Sequence, residues 1–211
     1  MNRVLLIRHG ETEWNRERRW QGHANVPLSP EGMRQAERLA RWLCRERPGV
    51  RAVYSSDLDR AVDTARAVAA AYGVDPILDP AWREMDVGAW SGLGRPEIEI
   101  RFAEEWRRIL AGEDLRRGGG ETFGGFTERI VSALERLPAL HPGGTTAVVT
   151  HGGVIRAALL HLRGLPFARL REIAPVENAA FAELSSNGDG WQVLGLGTET
   201  PGSVATTAAA R

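Results

Sequence analysis

Val4-Leu5-Leu6-Ile7-Arg8-His9-Gly10-Glu11-Thr12-Glu13-Trp14-Asn15 decides how the chain is read. Its four leading apolar residues form the unbroken run of a strand buried on both faces in a parallel sheet. The run stops abruptly at Arg8, His9 and Gly10. Open α/β sheets bind ligands beyond the carboxyl ends of their strands, so Arg8 and His9 are expected to enter such a crevice. A guanidinium beside an imidazole, followed by a glycine that lets backbone approach a ligand, suits an anion such as phosphate.

Outward from this stretch, residues 16–28 read as a loop, and Ser29-Pro30-Glu31 opens a helix with a capping serine and a first-turn proline. Met33, Ala36, Leu39, Ala40 and Leu43 follow at helical spacing, and Cys44 beside them reads as a packed, inert thiol. Ala52-Val53-Tyr54 is a second strand ending in Ser55-Ser56-Asp57, and the next helix, stopped by Gly73, carries Arg60 in its first turn. That brings Arg60 to the same rim as Arg8 and His9. Pro76-Ile77-Leu78 is a third strand, and a loop with Trp82-Arg83-Glu84, Gly88, Trp90 and Gly92 follows. Residues 95–111 read as one amphipathic helix with Ile98, Phe102, Trp106, Ile109 and Leu110 on one side, and another helix carries Phe126 to Leu137.

The opening pattern then recurs. Ala147-Val148-Val149-Thr150 ends in His151-Gly152-Gly153 and runs straight into a helix, whose first N–H groups are expected to face an anion beside His151. Asn178–Leu184 and Trp191–Leu196 make a closing hairpin. The expected architecture is a three-layer α/β/α sandwich: a mostly parallel sheet, helices on both faces and a small helical cap insertion. Residues 1–197 read as a single domain with its cap at about 91–125, and 198–211 as a flexible tail of small residues.

Composition narrows the classes of function. The 211 residues suit one α/β domain, and 27 bases balance 27 acids, so no basic field points to nucleic acid or an anionic membrane. No apolar run approaches the roughly 18 residues of a membrane span, and the first strand follows Met1 without a secretory leader; a cytoplasmic enzyme is expected. The single cysteine excludes an internal disulfide and any multi-cysteine metal site. The chain has no lysine, which rules out Schiff-base and P-loop lysine chemistry and leaves phosphate to Arg, His, Asn and backbone N–H.

Leu6-Ile7-Arg8-His9-Gly10-Glu11-Thr12 resembles the signature of the histidine phosphatase superfamily, also called the phosphoglycerate mutase-like family. Ser55-Ser56-Asp57-Leu58 with Arg60, Arg83-Glu84 with Gly88, Trp90 and Gly92, Gly120-Glu121-Thr122 and Thr150-His151-Gly152-Gly153 match its later segments in order. The resemblance implies that His9 is a nucleophile forming a phosphohistidine. Arg8, Arg60, Asn15 and a protonated His151 would hold the phosphoryl oxygens, and Glu84 would serve as acid and base, with Glu11 as its rival. It places Gln21, Gly22 and Gly152 among the substrate-binding residues, and implies no cofactor and no metal. Asn15 also reads as a capping amide, His141 and His161 as structural, and His23 as a solvent-exposed residue without a role, in a loop that borders the pocket.

The implied function is metal-independent hydrolysis of a small phosphorylated metabolite. The alternative activity is that of a cofactor-dependent phosphoglycerate mutase. Family mutases carry a longer insertion with a lysine, whereas Glu84 and His151 are only 67 positions apart here and only Arg116-Arg117 supplies charge. An inactive phospho-ligand binder is a third reading, but it would be expected to have lost Arg8, His9 or His151. Specificity would reside in loop 16–28 and the cap. Homodimers are common among relatives, and the pattern leaves oligomeric state open.

Overall fold

The computed structural model describes residues 1–188 and 190–198. Six strands form one sheet: β1 (Asn2–Arg8), β2 (Val50–Ser55), β3 (Pro76–Leu78), β4 (Thr145–Thr150), β5 (Phe181–Ser186) and β6 (Trp191–Gly197), in the order β3-β2-β4-β1-β5-β6. The first four run parallel, and β5 and β6 are antiparallel additions beside β1. The expected α/β architecture is therefore present, with its sheet mixed at the hairpin edge.

Alternation along each central strand explains the unbroken apolar runs. Leu5, Ile7, Val53, Ala147 and Val149 face one side and pack on α2 (Pro30–Glu46) and α3 (Asp59–Tyr72), which follow the short α1 (Glu13–Arg16). Val4, Leu6, Tyr54 and Val148 face the other and pack on α6 (Phe123–Leu140) and α7 (Gly152–Leu162). Because β4 lies between β1 and β2, connections leave the neighbouring strands β1 and β4 toward opposite faces, which opens a crevice at their carboxyl ends. No helix among the described residues is long and apolar enough to cross a membrane.

Some details differ from expectation. Met33 is 52% exposed, and Cys44 is exposed with its Sγ 3.1 Å from the Ala71 carbonyl. Both lie on one flank of the α2 stripe, beyond the part that Ala36, Leu39, Ala40 and Leu43 bury. The single helix expected over 95–111 is two, α4 (Arg95–Arg101) and α5 (Ala103–Leu110), broken where Phe102 leaves helical geometry at φ −126°, ψ 36°. The break wraps Phe102 and Trp106 around the buried Trp90 ring, at centroid distances of 6.1 and 5.7 Å, and leaves Leu110 48% exposed. The tail expectation for 198–211 falls, beyond Thr198, outside the described residues.

The turn after β1 is fixed by backbone approaching backbone. Gly10 N–H donates to Thr64 Oγ1 of α3 (3.0 Å), and Ser29 N–H to the Glu11 carbonyl (2.8 Å). A Cβ on Gly32, in the first turn of α2, would lie 2.0 Å from the Glu11 oxygen, and one on Gly10 would lie 2.3 Å from the Gly32 oxygen. Helix propensity alone favours alanine at position 32 by up to about 1 kcal/mol. Overpacking costs about 1–3 kcal/mol, and here neither colliding partner is a side chain that can swing away. Gly32→Ala is expected to lower unfolding free energy by about 1–2 kcal/mol in urea titration; equal or higher stability would show that this contact relaxes freely.

Candidate active site

The strand ladder continues past the strand ends and carries the functional side chains with it. His9 N–H donates to the Thr150 carbonyl and Ser56 N–H to the Val149 carbonyl, each at 2.9 Å. His9 and His151 thus meet edge to face, with ring centroids 5.1 Å apart. His9 Nδ1 lies 2.6 Å from the Gly10 carbonyl. A carbonyl can only accept, so Nδ1 carries the hydrogen and Nε2 keeps the lone pair. Burial, reinforced by the Arg60 and Arg8 charges, holds the His9 pKa well below the ordinary imidazole value, so the ring is neutral.

Arg8 and Arg60 are gripped by carbonyls, not carboxylates. Arg8 Nη1 donates to Val176 O (2.5 Å); Arg60 Nη1 and Nη2 donate to Ala24 O (2.7 Å) and Gly22 O (2.8 Å). The Nε of each is buried without a protein partner, as are His151 Nδ1 and Gln21 Oε1. Buried donors without partners are rare, and the two guanidinium Nε–H groups at one strand edge are what an anion would satisfy, whereas Gln21 Oε1 is an acceptor. Desolvation lowers the Arg60 pKa to about 10 and also lowers that of Arg8; both remain cations at neutral pH.

Glu84 sits in a tight cradle. Its Oε1 accepts from Met85 N–H (2.9 Å) and its Oε2 from Gly153 N–H (3.0 Å). A Cβ on Gly153 would lie 2.1 Å from Oε1, so the second glycine of His151-Gly152-Gly153 is needed to admit the carboxylate. This corrects one expectation: an N–H at the start of α7 is spent on Glu84. Behind it, the Glu84 carbonyl accepts from His23 Nε2 (2.9 Å), and Arg129 ties Glu121 to the Ala81 and Arg83 carbonyls.

These groups border a cavity of about 400 Å³ lined by Arg8, His9, Asn15, Gln21, Gly22, Arg60, Glu84 and Gly152, so nearly all the expected site residues come together. Trp14 and Trp20 contribute walls, whereas Trp90 is wholly buried beneath the cap. Glu11, the rival acid, is not in the lining; it accepts from Ser29 Oγ at 3.0 Å. Of the two neighbouring arginines, Arg117 lines the cavity, while Arg116 donates to the Gly120 carbonyl. Asn15 fulfils both readings, lining the cavity while completing a capping box with Thr12.

His151 departs from expectation. It is fully buried behind the cavity lining, with Nε2 2.9 Å from Ser56 Oγ. Burial, then Arg60, His9 and Arg8, push its pKa well below the ordinary value, which disfavours the protonated ring expected from sequence. Sequence reasoning passed over the role of Ser56, although it lay inside a matched segment. Asn178, Arg129 and Arg156 carried no signal at all. Among the described residues, no group of three or more His, Cys, Asp or Glu side chains is placed to hold a metal ion.

Two imidazoles, two buried guanidinium groups and a cradled carboxylate at the strand ends define an anion-handling α/β protein. The model of the histidine phosphatase superfamily (branch 1) matches residues 4–199, and the chain belongs to that family. It is 39% identical over 170 residues to phosphoglycerate mutase-like protein 4 of Arabidopsis thaliana, spanning 79% of this chain and 72% of that one. A probable phosphoglycerate mutase of Cronobacter sakazakii is 35% identical over 208 residues, with 97% and 94% covered. Among solved structures, mycobacterial glucosyl-3-phosphoglycerate phosphatase in complex with VO3 superposes with a TM-score of 0.81 at 29% identity, covering 92% of this chain and 97% of that one.

The two depressed histidine pKa values carry a linkage consequence. Both rings are neutral in the fold but titrate near 6.5 in the unfolded chain, so below that pH the unfolded state binds more protons. Unfolding free energy should fall as pH drops from about 7.5 to 5.5, with a slope approaching about 1.4 kcal/mol per pH unit for each histidine below 6.5. Urea titrations across this window test it, and a His151→Gln variant should show a shallower slope. A flat profile in the parent protein would mean the rings are not held neutral.

Proposed function

We propose that the chain is a metal-independent phosphomonoesterase that works through a phosphohistidine on His9. The observation that carries the reading is the Nδ1–H bond to the Gly10 carbonyl, which leaves the lone pair on Nε2 beside two buried guanidinium groups. Nε2 attacks phosphorus and the bond to the ester oxygen breaks. Glu84, which enters the cycle in its protonated form, delivers that proton to the departing oxygen and is left as the carboxylate. Water then gives a proton to Glu84 and attacks phosphorus; the P–N bond breaks and phosphate leaves. Arg8, Arg60 and the Asn15 amide neutralise the equatorial oxygens throughout. His151 takes up a proton as the anion arrives, because a phosphate dianion reverses the local field that keeps the ring neutral.

Substrate class follows from the cavity's remaining walls. Met85, Phe123, Phe126 and Leu170 are apolar, and Arg117 and Arg156 add two cations to the lining. Arg117 meets the Met85 sulfur and the faces of Phe123 and Phe167, and forms no ion pair among the described residues. These walls support a small phosphorylated metabolite whose leaving group carries a second anion. The phosphatase named among the solved structures is consistent with this class. The relatives named as a phosphoglycerate mutase-like protein and a probable phosphoglycerate mutase keep interconversion of phosphoglycerates as the second reading.

Three measurements test the proposal. Hydrolysis of p-nitrophenyl phosphate should continue undiminished in EDTA; loss on chelation would refute metal independence. Glu84→Gln should lower kcat about 10²–10⁴-fold for alkyl phosphates but far less for p-nitrophenyl phosphate, whose leaving group needs no proton. Equal losses would move the acid elsewhere. With 3-phosphoglycerate, phosphate release should outpace isomer formation; the reverse would establish the mutase.

A further inference from the structure

Asn178 lies at the entry to β5, behind the lining of the cavity. Its Nδ2 is 3.1 Å from both the His9 carbonyl and Asn15 Oδ1. The neighbours fix which atom is which. The His9 carbonyl can only accept, so Asn178 presents its NH2 to it; the Thr12 backbone N–H can only donate, so Asn15 presents its oxygen there. Asn15 Oδ1 therefore collects three donors, Thr12 N, Thr12 Oγ1 and Asn178 Nδ2, each at 3.1 Å. With that oxygen saturated, the Asn15 NH2 is the end left for the cavity.

The backbone beside Asn178 is held in an uncommon shape. Ala179 has φ +56°, the left-handed region that a residue with a Cβ seldom adopts. Its N–H also reaches the His9 carbonyl at 3.3 Å, and the Ala180 carbonyl accepts from Arg8 N–H at 2.8 Å. Segment 177–180 is thus docked against the exit of β1, and strain of this kind persists where surrounding bonds over-determine a functional geometry.

We infer that Asn178 is a positioning residue that acts with the Thr12 N–H to hold the Asn15 amide with its NH2 end toward the transferred phosphoryl group. It acts through Asn15, without touching the reacting atoms. An Asn15 amide turned over would set a carbonyl oxygen against the phosphate oxygens and replace attraction with repulsion. The inference rests on the reading of Arg8, Arg60 and Asn15 as the phosphoryl site.

A double-mutant cycle read by orthovanadate inhibition tests it. Asn178→Ala and Asn15→Ala should each raise the inhibition constant about tenfold or more, the loss of one hydrogen bond to a charged group. The double variant should be within about twofold of Asn15→Ala alone, because the second change has nothing left to orient. Effects that multiply, or an Asn178→Ala protein inhibited as well as the parent, would overturn the inference. Should Asn178→Ala not fold, side-chain amide NMR of the parent protein decides. Titrated phosphate should move the Asn15 NH2 pair and leave the Asn178 pair in place. An Asn15 pair unmoved at saturating phosphate overturns the inference while the phosphoryl-site reading survives. A parent protein that binds neither vanadate nor phosphate would instead bring down both.

Discussion

Placing two cations away from water beside two neutral imidazoles is the most demanding thing this fold does. Arg8 and Arg60 form no ion pairs among the described residues. Burying an unpaired charge costs several kcal/mol unless polar groups surround it. Here peptide carbonyls from Gly22, Ala24 and Val176 supply the compensation. Much of the surrounding chain can be understood as what brings those carbonyls in: loop 16–28 on one side, segment 173–177 on the other. Burial first, and then the charges of Arg60 and Arg8, keep His9 and His151 uncharged.

The carboxylate is handled by the opposite strategy. Glu84 is fixed by backbone N–H groups on both oxygens and by a carbonyl held from His23. Arg129 and Glu121 brace the same segment from behind. The acid is thereby held off the guanidinium groups, with which it forms no ion pair among the described residues. Gly153 makes this separation sterically achievable, since any side chain there would occupy the place of the carboxylate.

Much of this was legible in the sequence because it rests on short-range pattern. Val4 to Ile7 and Ala147 to Val149 are apolar without interruption because both sheet faces are covered, and the runs stop just short of Arg8-His9 and of His151. Ser29-Pro30 and Gly73 mark helix ends through local backbone chemistry that needs no partner. What escaped depends on partners distant in sequence. The break at Phe102 answers to the Trp90 ring, and an amphipathic pattern reads the same through a bend. The neutral state of His151 is set first by its burial and then by the Arg60 and Arg8 charges, which no single motif encodes. Asn178 looks like an ordinary turn residue until β5 lies beside β1.

Arg60 grips loop 16–28 by its main chain, at Gly22 and Ala24, and not by any of its side chains. Such a grip is indifferent to what the loop displays. A side chain such as Arg18, which lines the cavity, can be exchanged in the course of divergence. Trp20, packed on Trp90 and Trp106, meanwhile keeps the path of the peptide, and with it the cationic centre, in place. Selectivity and reactivity are thus carried on separable parts of one loop, which lets a lineage change the molecule it accepts without rebuilding the chemistry that acts on it.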